Sequence, residues 1–282
     1  MKNNGKADTT IKLTDKILTY ISKHADLNQP EQVKQYIANK TASNGTKRNY
    51  CTAYARYCEH YQIQWKMPKY KIEARKRKSP TTEKLEMLIA RATPTLSLKL
   101  TISKETGLRP IELCNLKVKD VDLDKKTIYP TTAKNGAPRT LKISNNLQTT
   151  LQNHIAKNKL TQNNKLFKGT QEHYGKNFRQ MRNNLAEKLH KPALKTIRLY
   201  DFRHYFATTL YAKTRDILYV KQQMGHKKIE TTLIYVQLEN ITEEDEWICK
   251  GATTKEEAMQ LIEAGYEYVT ETEGTKLFKK RK

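Results

Sequence analysis

Apolar residues recur at helical spacing along most of the chain, and two stretches change to a shorter, extended period. Residues 1–10 are polar and predict a frayed end. From Thr14, the positions Ile17, Leu18 and Ile21 predict a first helix. Asn28-Gln29-Pro30-Glu31 then opens a second, with Pro30 in its first turn and Val33, Tyr36 and Ile37 on its apolar face. Ser43-Asn44-Gly45 breaks the chain before a third helix carrying Tyr50, Tyr54, Tyr57, Cys58 and Tyr61. This aromatic stripe reads as core and groove wall. Residues 12–65 therefore predict a small all-helical domain.

Ser79-Pro80-Thr81-Thr82 opens a new helix with Leu85, Leu88 and Ile89 on one face, and a second domain is expected to start there. A helix over 96–105 ends at Gly107, a left-handed cap, and Pro110 begins the next. Residues 121–143 shift to extended runs around Thr127-Ile128-Tyr129 and Arg139–Ile143. Lys134-Asn135-Gly136 between them predicts an antiparallel hairpin with Lys134 near its tip. Helices follow over 145–158, 171–190 and 199–212, then one capped by Thr214-Arg215-Asp216 and ending at Gly225, and a short one over 228–237. Residues 238–251 read as an acidic segment. Thr254-Lys255-Glu256-Glu257 is a capping box for a helix closed by Gly265, and a final hairpin is expected around Glu273-Gly274. The fold class expected is mostly α with a small antiparallel β-sheet. The divisions are residues 1–65, a linker over 66–78, a second domain over 79–240 and a C-terminal helix and hairpin over 241–282.

Charge narrows the partner. The 282 residues hold 53 Lys and Arg against 29 Asp and Glu, a formal net charge of +24. A field of that sign favours a polyanion, and nucleic acid is the default. Seven of the thirteen positions from 66 to 78 are Lys or Arg, a run that repels itself and can follow a phosphate backbone. Cys51, Cys58, Cys114 and Cys249 show no metal-binding spacing and read as reduced thiols. No early run resembles a signal peptide and none is long enough to span a bilayer, so a soluble cytoplasmic protein is expected.

The candidate chemistry lies in an ordered set of side chains. Arg109 stands just before a helix N-terminus, where exposed N–H groups also favour an anion. Arg203 can grip phosphate bidentately. His226 can donate to an oxyanion, and Tyr235, nine residues beyond it, carries a hydroxyl able to act as a nucleophile. Glu112 can orient a neighbouring cation. Taken in order, Thr106-Gly107-Leu108-Arg109-Pro110-Ile111-Glu112-Leu113, Lys134, Leu199-Tyr200-Asp201-Phe202-Arg203-His204-Tyr205, and Gly225-His226 with Tyr235 resemble the motifs of the tyrosine recombinase (phage integrase/Xer) family over residues 79–240. One position departs. The family's second arginine box usually has histidine three residues before the arginine, and here Tyr200 stands there. Its hydroxyl donates a hydrogen bond but does not become a cation.

The resemblance implies a site-specific DNA recombinase with Arg109, Lys134, Tyr200, Arg203, His226 and Tyr235 as catalytic residues. Tyr235 would attack the scissile phosphorus and leave a 3′-phosphotyrosyl bond. Arg109, Arg203 and His226 would stabilise the charge that gathers on the non-bridging oxygens. Lys134 would protonate the leaving 5′ oxygen. The free phenol titrates at about 10, and a cationic cluster favours its phenolate. No metal or nucleotide cofactor is implied, and the chain has no GxxxxGK[ST] loop. The implied partners are double-stranded DNA bearing a recombination site and a homotetramer on two duplexes. Residues 254–278 could pack on their own domain or on a neighbouring protomer. Two alternatives stay open: a relaxing strand transferase like the type IB topoisomerases, and a non-catalytic DNA-binding protein.

Overall fold

A computed structural model describes residues 5–72, 79–133, 136–239, 247–272 and 274–281. The chain forms two compact units, Met1–Lys76 and Arg77–Lys282.

Among the described residues, the first unit holds three helices, α1 (Asp8–Ser22), α2 (Pro30–Asn39) and α3 (Asn44–Tyr61). Ile17, Ile21, Val33, Ile37, Cys51, Tyr54 and Cys58 make its core. α1 starts at Asp8, inside the stretch expected to fray. Its first turn buries nothing, so apolar periodicity did not reveal it, but Asp8 suits the positive end of the helix dipole. α3 starts where Ser43 accepts a hydrogen bond from the Thr46 amide. Of the aromatic stripe, Tyr54 is fully buried with its hydroxyl donating to the Leu27 carbonyl (2.8 Å), whereas Tyr61 is exposed.

The second unit is built around α5 (Pro94–Thr106) and α9 (Leu199–Thr214), which pack against each other. α5 is buried on nearly all sides, through Leu96, Leu98, Leu100 and Ile102. Its one buried cation, Lys99, sits over the rings of Phe167 and Tyr174 at 5.0 and 5.2 Å. Around this pair stand α4 (Thr82–Arg91), α6 (Pro110–Asn115), α7 (Asn145–Lys157), α8 (Gln171–Lys188), α10 (Ile217–Met224) and α11 (Glu230–Glu239). Gly107 ends α5 at φ 61°; a Cβ there would meet the Phe206 ring at 2.4 Å, so both backbone and packing require glycine. That turn reverses the chain directly into α6 and sets Arg109 at its N-cap.

A small antiparallel sheet, β1 (Val121–Asp122), β2 (Thr127–Ile128) and β3 (Leu141–Lys142), lies in that order. Lys134 and Asn135, the expected hairpin tip, lie outside the described residues. β2 and β3, consecutive along the chain, pair antiparallel as expected, with Ile128 opposite Leu141. Just before β3 the chain is held at the end of α10: the Ala137 amide donates to the Gly225 carbonyl at 3.3 Å.

The C-terminal part corrects another expectation. The segment read only as acidic ends in β4 (Trp247–Ala252), which pairs with β6 (Thr275–Arg281); β5 (Glu267–Thr272) pairs on the other side of β6. The result is a three-stranded sheet in the order β4-β6-β5, not a hairpin alone. α12 (Lys255–Glu263) packs on it through Ala258, beside Ala252 and Phe278. Thr254 and Glu257 form the expected capping box.

Candidate active site

The site is assembled where the ends of α5, α9 and α10 meet. Arg203, on the first turns of α9, is 1% exposed. Its Nη1 donates to the Gly107 carbonyl (2.5 Å) and its Nη2 to the Met224 carbonyl (2.5 Å). The guanidinium therefore caps the C-termini of two helices at once, where unpaired carbonyls and negative dipole ends gather. Burial, and then the charge of Arg109, push the Arg203 guanidinium down to about 10.

Arg203 Nη2 also lies 3.1 Å from His226 Nε2, and His226 Nδ1 lies 2.9 Å from Thr232 Oγ1. A guanidinium has only donors, so Nε2 accepts, the ring is neutral, and its proton sits on Nδ1 toward Thr232. Burial first, then the charges of Arg203, Arg109 and Arg139, hold the imidazole down to about 4. The Tyr235 ring stacks parallel to that of His226, with centroids 6.5 Å apart and planes at 9°. Tyr235 is 1% exposed and shares a cluster with Ala207, Val220 and Met224. His204 is also buried, its ring 5.7 Å from that of Tyr235 and 5.5 Å from that of Tyr200. Tyr200 itself lies on the outer side of α9, 41% exposed.

Arg109 and Glu112 form the second part. Glu112 is buried and every oxygen is used. Oε1 accepts from Arg109 Nη1 (2.7 Å) and the Ala133 amide (3.2 Å); Oε2 accepts from the Arg109 amide (3.0 Å) and Arg139 Nη2 (2.6 Å). Burial alone would raise this carboxyl, but the hydrogen bond and charge of Arg139, followed by the contacts of Arg109, hold it down to about 2. Gly225 closes the assembly at φ 61°. A Cβ on it would lie 2.7 Å from Arg139 Nη1 and 3.0 Å from the Ala137 carbonyl.

Of the six residues picked out in the sequence, Arg203, His226 and Tyr235 form one contiguous group, and Arg109 lies close enough for its charge to act on Arg203 and His226. Tyr200 is at the rim, and Lys134 lies outside the described residues. Two participants were missed. Thr232, which orients His226, gives no signal in sequence. Arg139, read only as a strand residue, belongs to the alternation Arg139, Leu141, Ile143, which is the buried face. Among the described residues no group of three or more His, Cys, Asp or Glu could hold a metal ion, and no helix is long and apolar enough to cross a membrane.

The fold and this arrangement define a class. Residues 79–241 match the model of the phage integrase family, and the chain belongs to that family. A probable integrase/recombinase of Methanocaldococcus jannaschii is 33% identical over 153 residues, 52% of this chain and 46% of that protein. Tyrosine recombinase XerA of Saccharolobus solfataricus is 27% identical over 216 residues, 75% of this chain and 70% of that one. The matches span about half the length of most of these curated relatives. Among solved structures, the Tn1549 transposon integrase in complex with transposon right end DNA shares the fold with a TM-score of 0.65 at 19% identity, over 83% of this chain and 91% of that one. A lambda integrase dimer bound to a core site does so with a TM-score of 0.64 at 14% identity, over 86% and 92%.

Proposed function

We propose that this chain is a DNA strand transferase that cuts and rejoins duplex DNA through Tyr235, as a site-specific recombinase. The observation that carries the reading is the Arg203–His226 hydrogen bond and the parallel His226 and Tyr235 rings beside the Arg109–Glu112 pair, in a chain of the phage integrase family. Two guanidiniums, a histidine and a phenol around one turn suit a phosphodiester whose transition state gathers negative charge. The Tyr235 oxygen forms a bond to phosphorus as the bond to the 5′ oxygen breaks. Lys134 gives its proton to that leaving oxygen, and the phenol proton passes to a base or to water. Rejoining is the reverse, so bond energy is conserved in the phosphotyrosyl ester and neither nucleotide nor metal is required.

In the free protein His226 Nε2 accepts from Arg203. An arriving phosphate brings negative charge that favours a second proton on the ring, and Nε2 then becomes a donor to the oxyanion. Tyr200, at the position where the family usually has histidine, supplies a hydroxyl donor at the rim. The first unit, the basic run over 66–78 and the net charge of +24 support duplex DNA as the partner, with the chain clasping it as a tetramer on two duplexes in the cytoplasm.

Strand exchange between two labelled duplexes tests the job. Joining of strands from different duplexes at one defined sequence supports recombination, in integration, excision or dimer resolution. Relaxation of supercoiled DNA without exchange would instead indicate a topoisomerase-like activity. Binding with neither reaction would leave a DNA-binding protein.

A further inference from the structure

Glu112 poses an electrostatic problem for the reading above. Its carboxylate sits 2.7 Å from Arg109 Nη1 and also accepts from the Arg109 amide. A paired buried carboxylate cancels the charge with which Arg109 would hold an anion. Yet the position is occupied by a fully buried acid whose four lone-pair directions are all used, two of them by Arg109 itself.

Arg139 changes the balance. Its side chain is wholly buried, its Nη2 reaches the other oxygen of Glu112 at 2.6 Å, and its Nη1 packs against Gly225, the residue before His226. Two guanidiniums on one carboxylate leave the cluster with one net positive charge. That charge lies between the Arg109 helix cap and the His226 turn. The same side chain spans three segments: β3's lead-in, the α6 N-terminus and the end of α10. We propose that Arg139 is a positioning residue for strand transfer, which restores the positive charge that Glu112 removes from Arg109 and fixes the Gly225–His226 turn against it. Arg139 touches no substrate; it acts through Arg109 and His226. The inference deepens the strand-transferase reading and rests on it.

Two variants separate charge from shape. Arg139→Gln keeps a donor for Glu112 and removes the charge. Arg139→Lys keeps the charge and loses the planar fork. On a nicked duplex under single-turnover conditions, below the unfolding range of each variant, Arg139→Gln should slow cleavage by about 10- to 100-fold with DNA affinity unchanged. Arg139→Lys should recover most of the rate. A glutamine variant that cleaves at the wild-type rate, or a lysine variant as slow as glutamine is predicted to be, overturns the proposal, and either arm decides it where the other protein does not fold. A second readout needs no DNA. The His226 imidazole, assigned by its loss in His226→Gln, should titrate at higher pH in Arg139→Gln than in wild type, and near the wild-type position in Arg139→Lys. An unmoved titration in Arg139→Gln overturns the proposal even where the wild-type protein cleaves nothing. Absence of wild-type cleavage together with the predicted titration would count against the strand-transferase reading only.

Discussion

Replacing Glu112 by Gln tests the buried charge cluster most sharply. The carboxylate serves two guanidiniums, and the side chains of Glu112 and Arg139 are both inaccessible to water. Gln keeps the shape and one oxygen. It loses the negative charge and turns an NH₂ toward a guanidinium or a backbone amide, so two of the four accepted bonds go. Removing one partner of a buried ion pair costs about 3–5 kcal/mol, because the other charge is left without compensation. In a unit of this size each kcal/mol moves the midpoint by about 2–4 °C, so Tm should fall by about 6–20 °C. Calorimetry or circular dichroism at neutral pH measures this. The pH dependence gives a second check with a definite sign. The folded Glu112 carboxyl is held down to about 2, below the ordinary value of about 4.3. A depressed acid contributes stability that is complete above the unfolded value and is lost as pH falls toward the folded one. The gap between wild type and Glu112→Gln should therefore narrow from about pH 4.3 toward 2. A cost under about 1 kcal/mol at neutral pH, or a gap that does not change with acid, would refute the cluster as described.

Further predictions concern the other parts. On the proposed mechanism Arg203→Ala should suppress cleavage far more than DNA binding, because contacts to the phosphate would matter most in the transition state; equal losses in a gel-shift and a cleavage assay would count against that role. His226, held down to about 4 against an ordinary value of about 6.5, contributes stability that is complete above the latter and lost as pH falls between the two; His226→Gln should abolish that part of the acid limb in a denaturation series. Neutralising Lys76, Arg77 and Lys78 together should weaken binding on all sequences alike and reduce the slope of log K against log salt by about 3, and an unchanged slope would mean these residues meet no phosphate.

Much of this was legible in the chain. Helix boundaries followed from caps and periodicity: Ser43, Pro30, Asp216 and Gly225 mark ends where local chemistry alone decides. Arg109, Arg203, His226 and Tyr235 were recognisable as an ordered set. What escaped depends on distant partners. β4 pairs with β6 across a helix and another strand, so residues 247–252 carry little local sign of a strand. The close approach at Gly136, where a Cβ would lie 3.1 Å from the Gly225 carbonyl, also depends on a distant partner. Arg139 could have been found from its parity with Leu141 and Ile143, which places a charge on the buried face and demands a partner. Glu112, the partner, is 27 residues away, and nothing in the spacing links the two.

The central claim is that Tyr235 becomes covalently joined to DNA. The direct measurement is mass spectrometry of the protein after incubation with a duplex nicked near the cleavage site, digested to peptides. The account predicts a nucleotide-phosphate remnant on the peptide containing Tyr235, absent from Tyr235→Phe. A remnant on another residue, or an adduct that survives in Tyr235→Phe, would contradict it.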